Sequence, residues 1–109
     1  MESILNAYPI RECKFSIKDC IATLVFKDPN PSFIEKHLFK KLAEKEMKMD
    51  LDEIGTFVWQ LCDGSRKVSD IIEEARIKFG DEVEPAQNRV EQFLLQLHKG
   101  KFLSLYKKK

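Results

Sequence analysis

Three apolar stripes at helical spacing fill the second half of this chain, and each ends at a glycine. In the first, Ile54, Phe57, Val58 and Leu61 recur at i, i+3, i+4 and i+7, with Asp52 before them and Asp63-Gly64 after. Aspartate offers a side-chain oxygen to the free N–H groups of a first helical turn, and glycine tolerates the left-handed conformation of a helix stop. A helix from about Glu53 to Cys62 is predicted. The second stripe, Val68, Ile71, Ile72 and Ala75, predicts a helix from Val68 to Phe79, stopped by Gly80. The third, Ala86, Val90, Phe93, Leu94 and Leu97, starts at Pro85 and stops at Gly100. Proline suits the first helical position because its missing N–H has no partner there in any case.

The first half has a different period. Cys13, Phe15 and Ile17 alternate with polar neighbours, and Ile21 to Phe26 is β-branched and aromatic, so residues 11–26 read as two strands with Lys18-Asp19 at their turn. Two prolines in Lys27-Asp28-Pro29-Asn30-Pro31 end the second strand. Residues 32–44 read as a helix, with Ser32 and Glu35 in the capping-box spacing. Its basic face, Lys36, Lys40 and Lys41 with Lys45 just beyond, reads as the solvated side of a helix covering the sheet; contact with an acidic partner or a membrane is the alternative. Glu46 to Leu51 places Met47, Met49 and Leu51 on one side and Glu46, Lys48 and Asp50 on the other, the pattern of a half-buried strand. Lys101 to Tyr106 reads as a short closing strand or extended segment before a solvated lysine tail.

The expected fold class is α+β and winged helix-turn-helix-like: a three-stranded antiparallel sheet followed by a three-helix bundle, with an extra helix between strands two and three. A length of 109 residues suits one domain over 1–109. Within it, 11–51 would hold the sheet and inserted helix 32–44, 52–100 the three helices, and 101–109 the closing segment and basic tail.

Several classes are disfavoured. The 19 basic and 18 acidic residues leave a net charge of +1, which argues against a nucleic-acid binder working by bulk charge. No signal peptide is visible and no apolar run approaches the ~20 residues that span a bilayer, so a cytoplasmic protein without membrane contact is expected. Cys13, Cys20 and Cys62 form no CxxC pair, and His37 and His98 belong to no ligand pattern, so neither a metal nor a cofactor is expected. No phosphate-binding loop, dinucleotide fingerprint or nucleophile motif occurs. The chain is expected not to be an enzyme and to have no catalytic residues.

One stretch is more specific. Leu51 to Gly64 runs Leu-Asp-Glu, then an apolar helix containing Phe57 and Trp59, then Asp-Gly; Val68-Ser-Asp-Ile71 and Phe79-Gly-Asp-Glu82 follow. This order resembles the pyrroloquinoline-quinone biosynthesis protein D (PqqD) family over roughly residues 46–103. Each piece also has a structural reason: Asp52 as a cap, Phe57 and Trp59 as core area, Asp63-Gly64 as a turn. Two departures stand out. Lys67 occupies the place where the family commonly has a capping threonine, and residues 27–45 are longer than the family's tight strand connection.

The resemblance implies a peptide-recognition element. Such proteins bind the leader of a ribosomally made precursor peptide and present it to a modifying enzyme, often a radical S-adenosylmethionine protein. The leader adds as a strand to a sheet edge and rests against the last helix of the trio. Here the edge would be Met47, Lys48, Met49, Asp50 and Leu51, although core packing competes as a role for the two methionine side chains. On the third helix Arg89, Gln92, Phe93 and Gln96 would line the groove, with the flank of Glu91, Leu95 and His98 as the alternative. Arg89 would meet an acidic leader residue or form a surface ion pair. Two other functions compete. A DNA-binding helix-turn-helix needs a basic third helix, and this one has Arg89, Lys99 and an opposing Glu91. A self-associating subunit, monomer or homodimer, would pair its sheet edges.

Overall fold

The alternation in the first half becomes strands, and the three stripes become helices. The computed structural model describes residues 4–27 and 46–107. Strand β1 is Tyr8–Arg11, β2 is Lys14–Lys18, β3 is Ile21–Lys27 and β4 is Glu46–Asp50. Helices α1 (Glu53–Gln60) and α2 (Val68–Phe79) come next, then a 3₁₀ turn over Gly80–Val83, helix α3 (Ala86–Lys99) and strand β5 (Leu103–Tyr106). The expected α+β class with three helices and a three-stranded antiparallel sheet is present. The helix expected over 32–44 lies outside the described residues.

The element order departs from the expected layout at its start. Tyr8–Arg11 forms a strand of its own and pairs antiparallel with β5, Tyr8 opposite Tyr106 and Arg11 opposite Leu103, in a separate two-stranded sheet. The strand expected from residue 11 therefore begins at Lys14. Pro9 hid β1 in the sequence, since proline belongs in a strand only where no ladder bond is needed from its nitrogen. Its partner lies at the far end of the chain, so no local hairpin signal marks it.

The main sheet has the order β2-β3-β4. The β2–β3 hairpin closes through Asp19 and Cys20, both at positive φ (53° and 65°), which are the two central positions of a tight hairpin turn. Residues 28–45 connect β3 to β4, which pairs Leu24 with Met49 and Val25 with Lys48. One face of this sheet carries Ala22, Leu24 and Leu51, all buried, and meets the helices. The helices cover the middle strand and leave the margins open: Phe15 and Ile17 on β2 are 38% and 42% exposed, and Met47 on β4 is 45% exposed.

Helix α1 begins as predicted, with the Asp52 carboxylate accepting the Gly55 N–H at 2.6 Å. Its buried side is rotated from the predicted one. Gly55, Thr56, Val58 and Trp59 face inward, while Ile54, Phe57 and Leu61 pack partly buried against the core. The Thr56 hydroxyl accepts the Ala22 N–H at 2.8 Å, so a small polar side chain lies where helix and sheet touch. Helix α2 starts at Lys67, which supplies no side-chain cap; instead the Asp70 carboxylate accepts the Lys67 N–H at 3.3 Å. Pro85 stands at the N-cap of α3, one place before its predicted position, and the Glu84 carboxylate accepts the Ala86 N–H at 3.0 Å.

The Asp63-Gly64 turn is clamped by β1. Arg11 N–H donates to Cys62 O and Gly64 N–H to Pro9 O, both at 2.9 Å. The Arg11 guanidinium donates to the carbonyls of Trp59 and Gln60, at 3.0 and 2.7 Å, which leaves a cation on the C-terminal carbonyls of α1. The Ser65 hydroxyl and N–H hold the Asp63 carboxyl below the usual carboxylate range.

Gly64 has φ +84°, and a Cβ there would meet Ile10 Cγ1 at 2.8 Å. Gly80 has φ +59° with open space around it. Gly64→Ala should lower the unfolding free energy through positive-φ strain plus the collision with Ile10, and Gly80→Ala, at φ 59° and ψ −131° with open space around it, through backbone strain alone, about 1–3 kcal/mol. Urea midpoints of the two variants check the difference.

Candidate functional site

Strand β4 is one edge of the main sheet, and its register fixes which backbone groups face outward. Leu51 N–H donates to Ala22 O at 2.8 Å, so Leu51, Met49 and Met47 turn their hydrogen-bonding groups toward β3. In an antiparallel ladder the direction alternates. Lys48 and Asp50 therefore direct their N–H and C=O groups away from β3, along an edge that carries no further strand among the described residues. Both side chains are exposed and project from the face opposite the helices. The Asp50 carboxylate accepts from the Thr23 hydroxyl at 2.6 Å, across a pair without mutual backbone bonds, where side chains come closest.

The chain leaves β4 through buried Leu51 and reaches Asp52, which caps α1 and also lines a slot between α1 and α3. The slot has a volume of about 70 Å³, and its walls include Ile54, Gly55, Val58, Arg89, Val90 and Phe93. Gly55 permits the approach of the two helices, since a Cβ there would meet the Phe93 ring at 3.1 Å and the Asp52 carboxylate at 2.9 Å. The slot is apolar within, and Asp52 and Arg89 add one charge of each sign to its lining.

The structure thus brings part of the predicted set together. Leu51 leads directly into the slot, and Arg89 and Phe93 line it. Gln92 and Gln96 are exposed on α3 and do not line the slot. Met49 packs partly buried against the core, while Met47 is 45% exposed. Arg89 donates to the Glu82 backbone carbonyl at 2.5 Å, joining α3 to the preceding 3₁₀ turn. Asp52 and Gly55 were missed as slot residues because Asp52 already had a capping role and Gly55 has no side chain to mark it; their i, i+3 spacing was the available signal.

A second groove, about 230 Å³, lies beyond the hairpin tip, with Ile17, Cys20, Phe57, Gln60, Lys78 and Phe79 in its walls. The Phe57 and Phe79 rings meet edge to face, 5.5 Å apart. Among the described residues no cluster of His, Cys, Asp and Glu has the form of a metal site, and no helix is long and apolar enough to cross a membrane.

A family model described as coenzyme PQQ synthesis protein D matches residues 42–103, which take in β4, the three helices and the start of β5. No curated protein and no solved structure matches the chain.

The three cysteines are free thiols that differ in burial. Burial pushes the Cys62 thiol up to about 12, opposed by nearby Arg11 and aided by Asp63, and Cys62 also donates to Val58 O at 3.2 Å. Burial raises Cys13 as well, while Cys20 is exposed at the hairpin tip. The thiolate is the reactive form, so at pH 8 Cys62 stays protonated as well as covered. Iodoacetamide labelling followed by peptide mass spectrometry should modify Cys20 first and Cys62 only after unfolding in urea.

Proposed function

Because this chain belongs to the PqqD family, we propose that it is a non-catalytic, peptide-binding partner of a peptide-modifying enzyme. It takes the leader of a precursor peptide as an added strand on β4 and presents the peptide to that enzyme, for which a radical S-adenosylmethionine protein is the candidate. The observation that carries the reading is the open edge of β4, whose chain runs directly into the α1–α3 slot. Backbone groups of Lys48 and Asp50 are oriented to accept a strand, and main-chain pairing of this kind gives affinity without regard to sequence. Sequence preference comes from the slot: an apolar leader side chain suits Val58, Val90 and Phe93, and an acidic one suits Arg89. The helix trio and flanking strands act as a winged helix-turn-helix-like scaffold, which the contacts of α2 with α1 and α3, and of α3 with β5, support.

A DNA-binding role is weaker on the same residues. Arg89 is the one arginine or lysine of α3 before Lys99 at its end, and Asp81, Glu82 and Glu84 line the approach to the helix. Phosphates need free cations at that position.

An NMR titration tests the proposal. A leader peptide encoded beside the gene should shift the amides of Lys48 and Asp50 and those of α3 near Phe93. Lys48→Pro should weaken binding at least tenfold while leaving the fold intact, because the lost N–H points away from β3. Phe93→Ala should also weaken it. Leader binding that leaves these amides unmoved, or that survives Lys48→Pro, rejects the strand-addition reading. A steep loss of DNA affinity with salt would favour the rival.

A further inference from the structure

The main sheet has a second margin. Strand β2, Lys-Phe-Ser-Ile-Lys, is exposed at all five residues and lies at the end of the order β2-β3-β4. Its outward groups follow from the same alternation. Ala22, Leu24 and Phe26 face β4, so Ile21, Thr23 and Val25 face β2, and their partners Lys18, Ser16 and Lys14 face back. Phe15 and Ile17 therefore direct N–H and C=O groups along an edge that carries no further strand among the described residues.

Their side chains point to the helix side of the sheet but are only partly covered. The Phe15 ring stands edge-on to Trp59 at 5.6 Å, and Ile17 borders the groove formed with Phe57, Gln60 and Phe79. Lys14 and Lys18 project from the other face, and among the described residues neither has an ion-pair partner. An added antiparallel strand would form hydrogen-bonded pairs at Phe15 and Ile17. It would place its own side chains closest to Lys14, Ser16 and Lys18, at the non-hydrogen-bonded pairs where charge complementarity counts most.

This arrangement selects among occupants. Two copies of β2 paired about Ser16 would set Lys14 against Lys18 twice, a repulsive register; edge lysines discourage such self-pairing. The same lysines favour a strand with acids four residues apart and apolar residues between them, aligned with Phe15 and Ile17.

We propose that β2 is a second strand-addition edge, taking an acidic, alternately apolar segment of a partner protein. Strands in a sheet lie about 4.8 Å apart, so β2 and β4 are about 10 Å apart with β3 between them. A leader on β4 and a partner strand on β2 would extend the sheet on opposite sides without competing.

The test uses the full chain and a capped peptide containing Glu-Val-Thr-Val-Glu, with Lys-Val-Thr-Val-Lys as its counterpart. The acidic peptide should shift the amides of Phe15 and Ile17, leaving Lys48 and Asp50 unmoved. Lys14→Glu/Lys18→Glu should weaken its binding at least tenfold and should bind the lysine peptide instead. Both lysines are exposed, and the swapped pair also controls for folding. Failure of the acidic peptide to move Phe15 and Ile17, equal binding of both peptides by the unmodified chain, or shifts at β2 that grow with protein concentration alone would each overturn the proposal. Leader binding is read separately at Lys48 and Asp50, so failure at one edge leaves the reading of the other standing.

Discussion

The position of α1 on the sheet rests on one buried hydrogen bond. Ala22 directs its N–H out of the end of the ladder, and the Thr56 hydroxyl accepts it at 2.8 Å. Thr56 is 3% exposed, so an unpaired Ala22 N–H would face the desolvation cost of a buried donor, about 1–3 kcal/mol. Ala22 also accepts the Leu51 N–H. One residue of β3 therefore fixes the end of β4 and the first turns of α1 together. The slot inherits that registry, since Asp52 and Gly55 lie between the two contacts.

Trp59 consolidates the same junction from the other side. It is fully buried, with Phe15 edge-on to it and the Arg11 guanidinium on its carbonyl. Arg11 also lies over the Phe15 ring, 5.4 Å from its centroid. Sheet, first helix and leading strand thus converge on one indole. The helices cover the sheet unevenly, burying Ala22 and Leu24 of β3 while Phe15 and Ile17 of β2 and Met47 of β4 stay partly in solvent. That unevenness gives the molecule two usable edges instead of a closed face.

Much of this was legible in the sequence. The helices announced themselves through Asp52, Gly64, Gly80 and Gly100, because capping and termination depend on residues within a few positions of one another. Strand β4 was legible from its alternation, while its candidacy as a peptide edge came from the resemblance alone. What stayed hidden was set by distant partners. Pairing of β1 with β5 has no local mark, and Pro9 argues against it. The rotation of α1 escaped because Gly55 and Thr56 face inward for closeness and a hydrogen bond, neither of which an apolar count registers. The attachment of Arg89 to the Glu82 carbonyl depends on a turn conformation that its residue types do not encode, and the basic segment 32–44 lies outside the described residues.

The pairing of Tyr8 with Tyr106 has a kinetic side. It joins residues nearly a whole chain apart, and such closures carry the largest entropy cost and come late in folding. Until β5 is in place, β1 lacks one of its two partners, and the Asp63-Gly64 turn depends on β1 for its backbone bonds. The α1–α2 corner beside Trp59 would therefore be the last part of the described fold to become rigid.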